Sequence, residues 1–479
     1  MPTPDRLPLW IRWLYNALLP VLLVVGFPGY LIKGLRRGDF FGSLSQRFGF
    51  YGAARQARLK SGTAPRLWVH AVSVGEVLVG AKLLRALLAR SPGLDLVFST
   101  TTATGYRLAE KELRDLATII YHPVDLPWVA GRVVCLVRPR ILILIEAEIW
   151  PNLVQAVKVR NGAVVLANAR LSRRSERRFH SFRAVTRPLY GLLDRVAVQF
   201  PADRIRFARL GVPEDRIFCP GSIKYDDTVA AGDEAKIAAL RGWLEVQGQG
   251  GDGPMLIGGS THAGEEALIA RVWLRLREEF PGLRLVLVPR HAERGRGVAK
   301  DLVSLGIRPL LRHRVVPDPT EDLSDLSAPV VLIANTTGEL RAWYALASVV
   351  VVGKSLLGRG GQNPSEPIAV GVPAVVGPHM GNFTSLVEEL RTAGGLLVLE
   401  DGDGQAMETL LHEPLRELLR NPSTGRHMVV AGQAVLAIHH GAAFANGRGF
   451  PSLLGNPQRW SDAQAGPRQA SGLFPGALL

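Results

Sequence analysis

The sequence predicts an α/β protein of two Rossmann-like parallel-sheet domains in tandem. Three observations carry that prediction: short unbroken apolar runs recur along the chain, helical patterns separate them, and polar clusters follow the runs. A strand covered on both faces reads as a continuous apolar run, and parallel neighbours need a crossover, usually a helix, between them. The first series comprises 66–72 (RLWVHAV), 94–99 (LDLVFS), 118–121, 140–145 (RILILI), 163–168 (AVVLAN) and 195–199. Helical stretches such as 76–90 (EVLVGAKLLRALLAR) lie between them. The second series comprises 254–259 (PMLIGG), 283–289 (RLVLVP), 329–334 (PVVLIA), 348–352 and 373–376.

At 479 residues the chain exceeds one ordinary domain, and 47% apolar residues suffice for two cores. The expected organisation is an anchor over 1–37, a first domain over 38–228, a Gly-rich linker over 229–253, a second domain over 254–445 and a disordered tail over 446–479. The anchor is read from Trp13 to Ile32, where no charge occurs over about the length that spans a bilayer. GFPGY is a poor cleavage site for a signal peptide. Pro20, Gly26, Pro28 and Gly29 leave a tilted span and an in-plane helix both open. Lys33, Arg36 and Arg37 favour a cytoplasmic position for the chain beyond them.

A net charge of +15 calls for polyanionic surroundings. No basic motif is interleaved with aromatics, which argues against nucleic acid and for phosphorylated substrates or an anionic membrane surface. Cys135 and Cys219 stand alone without metal-ligand spacing, so a reducing compartment and no structural zinc are expected. Gly248-x-Gly250-x-x-Gly253 precedes a strand instead of coming after one, and Gly353-Lys354-Ser355 lacks the first glycine of a phosphate loop, so both are dismissed.

In open parallel sheets ligands bind beyond the carboxyl ends of the strands. In the first half, Ser73-Val-Gly-Glu76 is either a capping box or a base at a sheet edge, where the helix N-terminus is expected to lower the carboxylate pKa. Glu146 and Glu148, spaced i, i+2, are expected on one face of a strand, with Arg170 as their compensating charge. Eight arginines within 170–195 form either a solvated helix face or a platform for phosphates. In the second half, Gly258–Glu266 (GGSTHAGEE) offers backbone amides and the Ser260 and Thr261 hydroxyls to a phosphate, with Arg290 to neutralise it. Gly360 and Gly361 suggest a backbone nest, and Glu366 an acceptor for ribose hydroxyls.

The motifs WVHAVSVGE, EAEIWPNL, LANARLS, GSTHAGEE, PRHAER, TTGEL and GGQNPSEP, with Tyr15-Asn16-x-Leu-Leu-x-Pro, resemble in order those of bacterial lipid A Kdo transferases, Kdo being 3-deoxy-D-manno-oct-2-ulosonic acid. In Gly221-Ser-Ile-Lys-Tyr-Asp226, Ser222 stands where that family usually has Asn. The resemblance implies a GT-B architecture, with an interdomain cleft and an N-terminal membrane anchor. It implies transfer of Kdo from CMP-Kdo to a lipid A precursor at the cytoplasmic face of the inner membrane. The reaction implied is inverting and uses no cofactor or metal. Glu76 takes the place of the general base, with Ser73, Glu146, Glu148 and Arg170 on the acceptor side. The donor side implied is Ser260, Thr261, His262, Glu265, Arg290, His291, Gly338, Glu339, Gly360, Gly361, Gln362, Asn363 and Glu366. Two rivals stay open: another membrane-associated sugar-nucleotide enzyme, such as a lipid-linked N-acetylglucosaminyltransferase or a UDP-sugar epimerase, and a non-catalytic basic membrane scaffold.

Overall fold

The structure, a computed structural model, describes residues 6–37, 40–61, 65–229, 234–313 and 328–448. The chain divides into two units, one of residues up to 224 together with those from 441 on, the other of residues 225–440.

The first unit holds β1 (Arg66–Ala71), β2 (Asp95–Thr100), β3 (Thr118–Tyr121), β4 (Ile141–Ile145), β5 (Ala163–Ala169), β6 (Arg195–Val198) and β7 (Ile217–Phe218). They form a seven-stranded sheet in the order β3-β2-β1-β4-β5-β6-β7, with every neighbouring pair parallel. The period of two sends alternate side chains to opposite faces. Leu67, Val69 and Ala71 pack with Val77, Leu83 and Leu84 of the helix Val74–Arg90. Trp68 faces the other way, among Val133, Leu142 and Val154. Both faces are buried, which is why β4 reads as an unbroken apolar run and β1 as one interrupted between its ends only by His70.

The second unit holds β8 (Met255–Thr261), β9 (Arg284–Pro289), β10 (Arg308–Leu311), β11 (Val330–Ile333), β12 (Val349–Val352), β13 (Ala374–Val376) and β14 (Leu397–Val398). These are also all parallel, in the order β10-β11-β9-β8-β12-β13-β14. In each unit the earliest strand is central and the order reverses beside it, between β1 and β4 and between β8 and β12.

The boundaries differ from the expected ones in two places. The expected linker contains a helix, Glu234–Val246, with Leu240 and Leu244 buried and Trp243 edge-on to Trp343. Its apolar face needs cover, so it packs into the second unit. The expected end of the second domain also moves, because the helix Ala442–Arg448 buries Ala442 and Ala443 in the first unit's core. Asn446 Oδ1 there accepts the Asn168 backbone N–H at 3.2 Å. The rest of the expected tail, 449–479, lies outside the described residues.

The N-terminal segment is a single helix, Leu9–Arg37, about 43 Å long at 1.5 Å per residue. Leu7, just before it, and Ile11 and Leu19 are buried on the first unit, while Trp10, Trp13, Leu14, Leu18, Val21, Val24 and Val25 are exposed. Among the described residues, one helix, Pro422–Gly447, is long and apolar enough to cross a membrane by length and composition. Its Gly425, Val429, Gly432, Val435 and Leu436 are instead buried against the second unit. A Cβ on Gly432 would lie 2.7 Å from Ile368 Cγ2 and 3.0 Å from the Gly395 carbonyl oxygen. Gly432→Val should therefore destabilise the protein by about 1–3 kcal/mol through overpacking, read as a lower urea midpoint with an unchanged slope.

Candidate active site

The two strand-order reversals are where loops diverge and leave room for a ligand. At the first, Glu76 leaves β1 and Glu146 leaves β4, and the two strands are paired neighbours. Ser73 caps the helix Val74–Arg90, its hydroxyl accepting the Glu76 N–H at 3.4 Å. One Glu76 carboxylate oxygen accepts the Val72 N–H and the other the Ser73 hydroxyl, each at 2.9 Å. The capping box is thus real. Each oxygen still keeps a second lone pair, because a carboxylate has about four acceptor sites.

The expected depression of the Glu76 pKa is overturned. Burial raises it, the neighbouring Glu146 charge raises it further, and the Val72 N–H, Ser73 and Lys224 only partly oppose them. The end of a helix is a partial charge, whereas the loss of water acts on the whole carboxylate. The Glu148 carboxyl is likewise raised, first by burial and then by the Glu76 charge.

Glu146 and Glu148 do not share a strand face. β4 ends at Ile145, and Glu146 has φ +68°, a left-handed conformation that breaks the strand alternation. Arg170 does compensate Glu146, at 3.6 Å, and Lys224 pairs with it at 2.5 Å. Lys224 was missed although it lies in a stretch noted for Ser222, because nothing in its spacing places it beside β4. Beside this edge His70 and His122 stack at 3.8 Å between centroids, and His122 meets Trp150 at 4.9 Å. Burial holds His70 down to about 3 and His122 well below its usual range, so both imidazoles are neutral.

At the second reversal, several groups expected to hold a phosphate are committed within the chain. The Thr261 hydroxyl donates to Glu266 at 2.9 Å, and the His262 N–H donates to Glu265 at 2.9 Å. Ser260, at φ +53°, hydrogen-bonds buried Tyr344. Glu265 is fully buried, and beyond His262 its carboxylate accepts the amides of Lys354 (2.6 Å), Leu356 (3.0 Å) and Leu357 (3.4 Å). It binds the loop after β8 to the loop after β12, so its role is to shape the site. The expected glycine nest is also closed: the Gly360 N–H donates to the His379 carbonyl and the Gly361 N–H to the Lys354 carbonyl, both at 3.0 Å. Gly338 takes φ +82°, and Glu339 accepts from Thr336 at 2.5 Å and Arg312 at 3.3 Å.

The outward-facing set is smaller. Arg290 and His291 are exposed after β9. The His262 ring lies 6.2 Å from that of His291 and 3.3 Å, Nε2 to Nε2, from Gln362. Burial lowers the His262 pKa, with Lys354, Arg294 and His291 adding to the effect and Glu265 opposing it. Asn363 Oδ1 accepts the Ser365 N–H at 3.1 Å, and its Nδ2 donates to Glu366 at 3.0 Å. Burial raises the Glu366 carboxyl, against Asn363, Arg290 and Arg341. Arg294 and Tyr344 were both missed, since each acts by long-range contact. Among the described residues no group of three or more His, Cys, Asp or Glu could hold a metal ion.

Two seven-stranded all-parallel sheets, each with polar loops at its strand-order reversal, place the protein in the class of tandem Rossmann-like α/β folds, in which ligands bind at those reversals. The fold is shared with a UDP-GlcNAc 2-epimerase from Neisseria meningitidis solved with UDP-GlcNAc bound, at a TM-score of 0.51 and 13% identity over 81% of this chain and 99% of that one. Residues 42–227 match the family model for 3-deoxy-D-manno-octulosonic-acid transferase. The 3-deoxy-D-manno-octulosonic acid transferase of Haemophilus influenzae is 34% identical over 441 residues, 90% of this chain and 96% of that one. The one from Bordetella pertussis is 32% identical over 404 residues, 83% of this chain and 88% of that one. The chain belongs to the 3-deoxy-D-manno-octulosonic acid transferase family and is a glycosyltransferase.

Glu266 is fully buried against Arg294, at 2.6 and 3.2 Å, beneath this second site. Glu266→Ala should cost about 3 kcal/mol, the lower end for stranding a buried partner because Arg294 keeps some exposure. Chemical denaturation measures it.

Proposed function

We propose that the protein transfers Kdo from CMP-Kdo to a lipid A precursor in lipopolysaccharide biosynthesis, with inversion, at the cytoplasmic face of the bacterial inner membrane. The observation that carries this reading is Glu76 at the first sheet's reversal, its proton affinity raised by burial and by Glu146. A carboxylate whose pKa moves up towards working pH is a stronger general base. It takes the proton of the acceptor hydroxyl as that oxygen bonds to the anomeric carbon. The bond from that carbon to the CMP phosphate breaks, and CMP leaves with the electron pair.

On the donor side, Arg290 neutralises the phosphate oxygens, His262 and His291 hydrogen-bond to them, and Glu366, held by Asn363, accepts from the sugar hydroxyls. Arg290 supplies the positive charge, so no metal cofactor takes part in the reading. The helix Leu9–Arg37 supports the membrane location: its exposed face carries Trp10 and Trp13 beside Leu14, Leu18 and Val21. Such a face suits the interfacial zone of a bilayer.

Purified protein given CMP-Kdo and lipid A precursor should yield product heavier by one or more Kdo residues; turnover only with a UDP-sugar would sink the assignment. Glu76→Gln retains a carbonyl to accept the capping N–H, so it should fold normally and lose transfer by at least about a hundredfold. Retained activity would leave Glu76 a cap and nothing more. Because the base must be deprotonated, kcat/KM should fall as pH drops through the Glu76 pKa, at a pH above the usual carboxylate range. Glu146→Gln removes a repulsion and releases Lys224, so this acid limb should move to lower pH. Arg290→Ala should raise KM for CMP-Kdo far more than KM for the lipid, and chelators should leave the wild-type rate unchanged.

A further inference from the structure

The acidic turn after β4 runs directly into the helix Pro151–Lys158, whose local N-cap, Trp150, makes no side-chain capping bond. The cap comes from elsewhere in the chain. Asp125, 3% exposed in the loop after β3, accepts the Leu153 N–H at 2.7 Å through one oxygen and the Asn152 N–H at 3.0 Å through the other. Those are two of the amides a helix start leaves unpaired. The second oxygen also accepts the Tyr15 hydroxyl at 3.0 Å, from the N-terminal helix Leu9–Arg37. Asn152 Nδ2 donates to Asn16 Oδ1 at 2.7 Å and to the Asp125 carbonyl at 2.5 Å. One turn further on, Gln155 Oε1 accepts the Leu7 N–H at 2.6 Å. In the same loop as Asp125, His122 meets Trp150, at the end of the acidic turn, with ring centroids 4.9 Å apart and planes tilted by 43°.

We infer that Asp125 is a positioning residue that joins the N-terminal helix to the acidic turn bearing Glu146 and Glu148, so that a lipid-facing surface and the acceptor-side carboxylates are placed by one buried network. A cap alone would need nothing beyond a Ser or Asp at position 150. Supplying it from a distant loop, and giving that carboxylate a third bond to Tyr15, makes the start of the helix and the bearing of the N-terminal helix interdependent. Burial pushes the Asp125 carboxyl up to about 7 against the pull of its three donors, so the network is retained at a desolvation cost. Tyr15 and Asn16 lie at consecutive positions, and the buried Ile11 and Leu19, four residues to either side of Tyr15, share its side of the helix. The outward face stays apolar.

The inference rests on the acceptor role proposed above, and its test separates the two. Tyr15→Phe keeps the ring and removes the hydroxyl; Asp125→Asn keeps the shape and removes an acceptor. In vesicles containing anionic phospholipid and lipid A precursor, the full-length Tyr15→Phe chain should raise the acceptor KM roughly three- to tenfold, with the CMP-Kdo KM unchanged. Amide exchange over 146–150 should quicken in Tyr15→Phe, and the Asn152 and Leu153 amides should quicken as well in Asp125→Asn. Unchanged exchange over 146–150 in Tyr15→Phe overturns the inference whatever the kinetics, and so does a parallel rise in both KM values. A wild-type chain that transfers nothing from CMP-Kdo would overturn the proposed function instead, and the exchange comparison would still decide this inference.

Discussion

Burying a parallel sheet on both faces leaves the strand ends as the place for polar chemistry, and both units are arranged around that constraint. Some of the polar groups inside the first sheet pair with one another. The Trp68 indole donates to Ser99 Oγ at 2.7 Å, and His70 Nδ1 meets the same oxygen at 2.9 Å. Everything reactive is displaced to the carboxyl edge, where helix N-termini, unpaired amides and partial water exclusion coincide. Where the strand order reverses, successive loops turn to opposite sides and leave a crevice between them. In this chain those reversals lie at β1/β4 and β8/β12.

At those edges one residue type does three different jobs, and the partners decide which. Glu265 is surrounded by four amides, so its charge is spread over backbone and it serves as a fastening between loops. Glu266 is neutralised by Arg294 and fastens a loop in the same way. Glu76, Glu148 and Glu366 lose water without gaining enough compensation, and their affinity for protons rises. Carboxylates left under-compensated in a crevice are the ones suited to move protons or hold hydroxyls. Glu146, with Arg170 and Lys224 on either side, raises Glu76 while remaining paired itself.

Much of the fold was legible in the residues. The long central strands declare themselves as apolar runs because burial on two faces permits little else, and the motif clusters at their ends mark the loops that carry the site. The strands that escaped notice are short or lie at sheet edges: Ile217–Phe218, Leu397–Val398, and the half-exposed Arg308–Leu311, which contains Pro309. An edge strand has one neighbour and weak patterning, so periodicity does not reveal it. The helix inside the expected linker was hidden for a different reason, since the Gly-rich run beside it dominated the local composition.

By itself the sequence determined the α/β class, the tandem arrangement, the apolar N-terminal segment and the family, because these arise from local burial patterns and contiguous motifs. Tertiary structure decided the strand order, and hence which loops meet at a reversal. It also decided which hydroxyls and amides at those loops are already consumed, as with Thr261, His262 and the two glycines. It brought Lys224 to Glu146 and Asp125 to Tyr15, pairs separated by 78 and 110 positions. The physical reason is common to all of these. A local pattern reports which side chains leave water, and only the packed chain reports what they meet when they do.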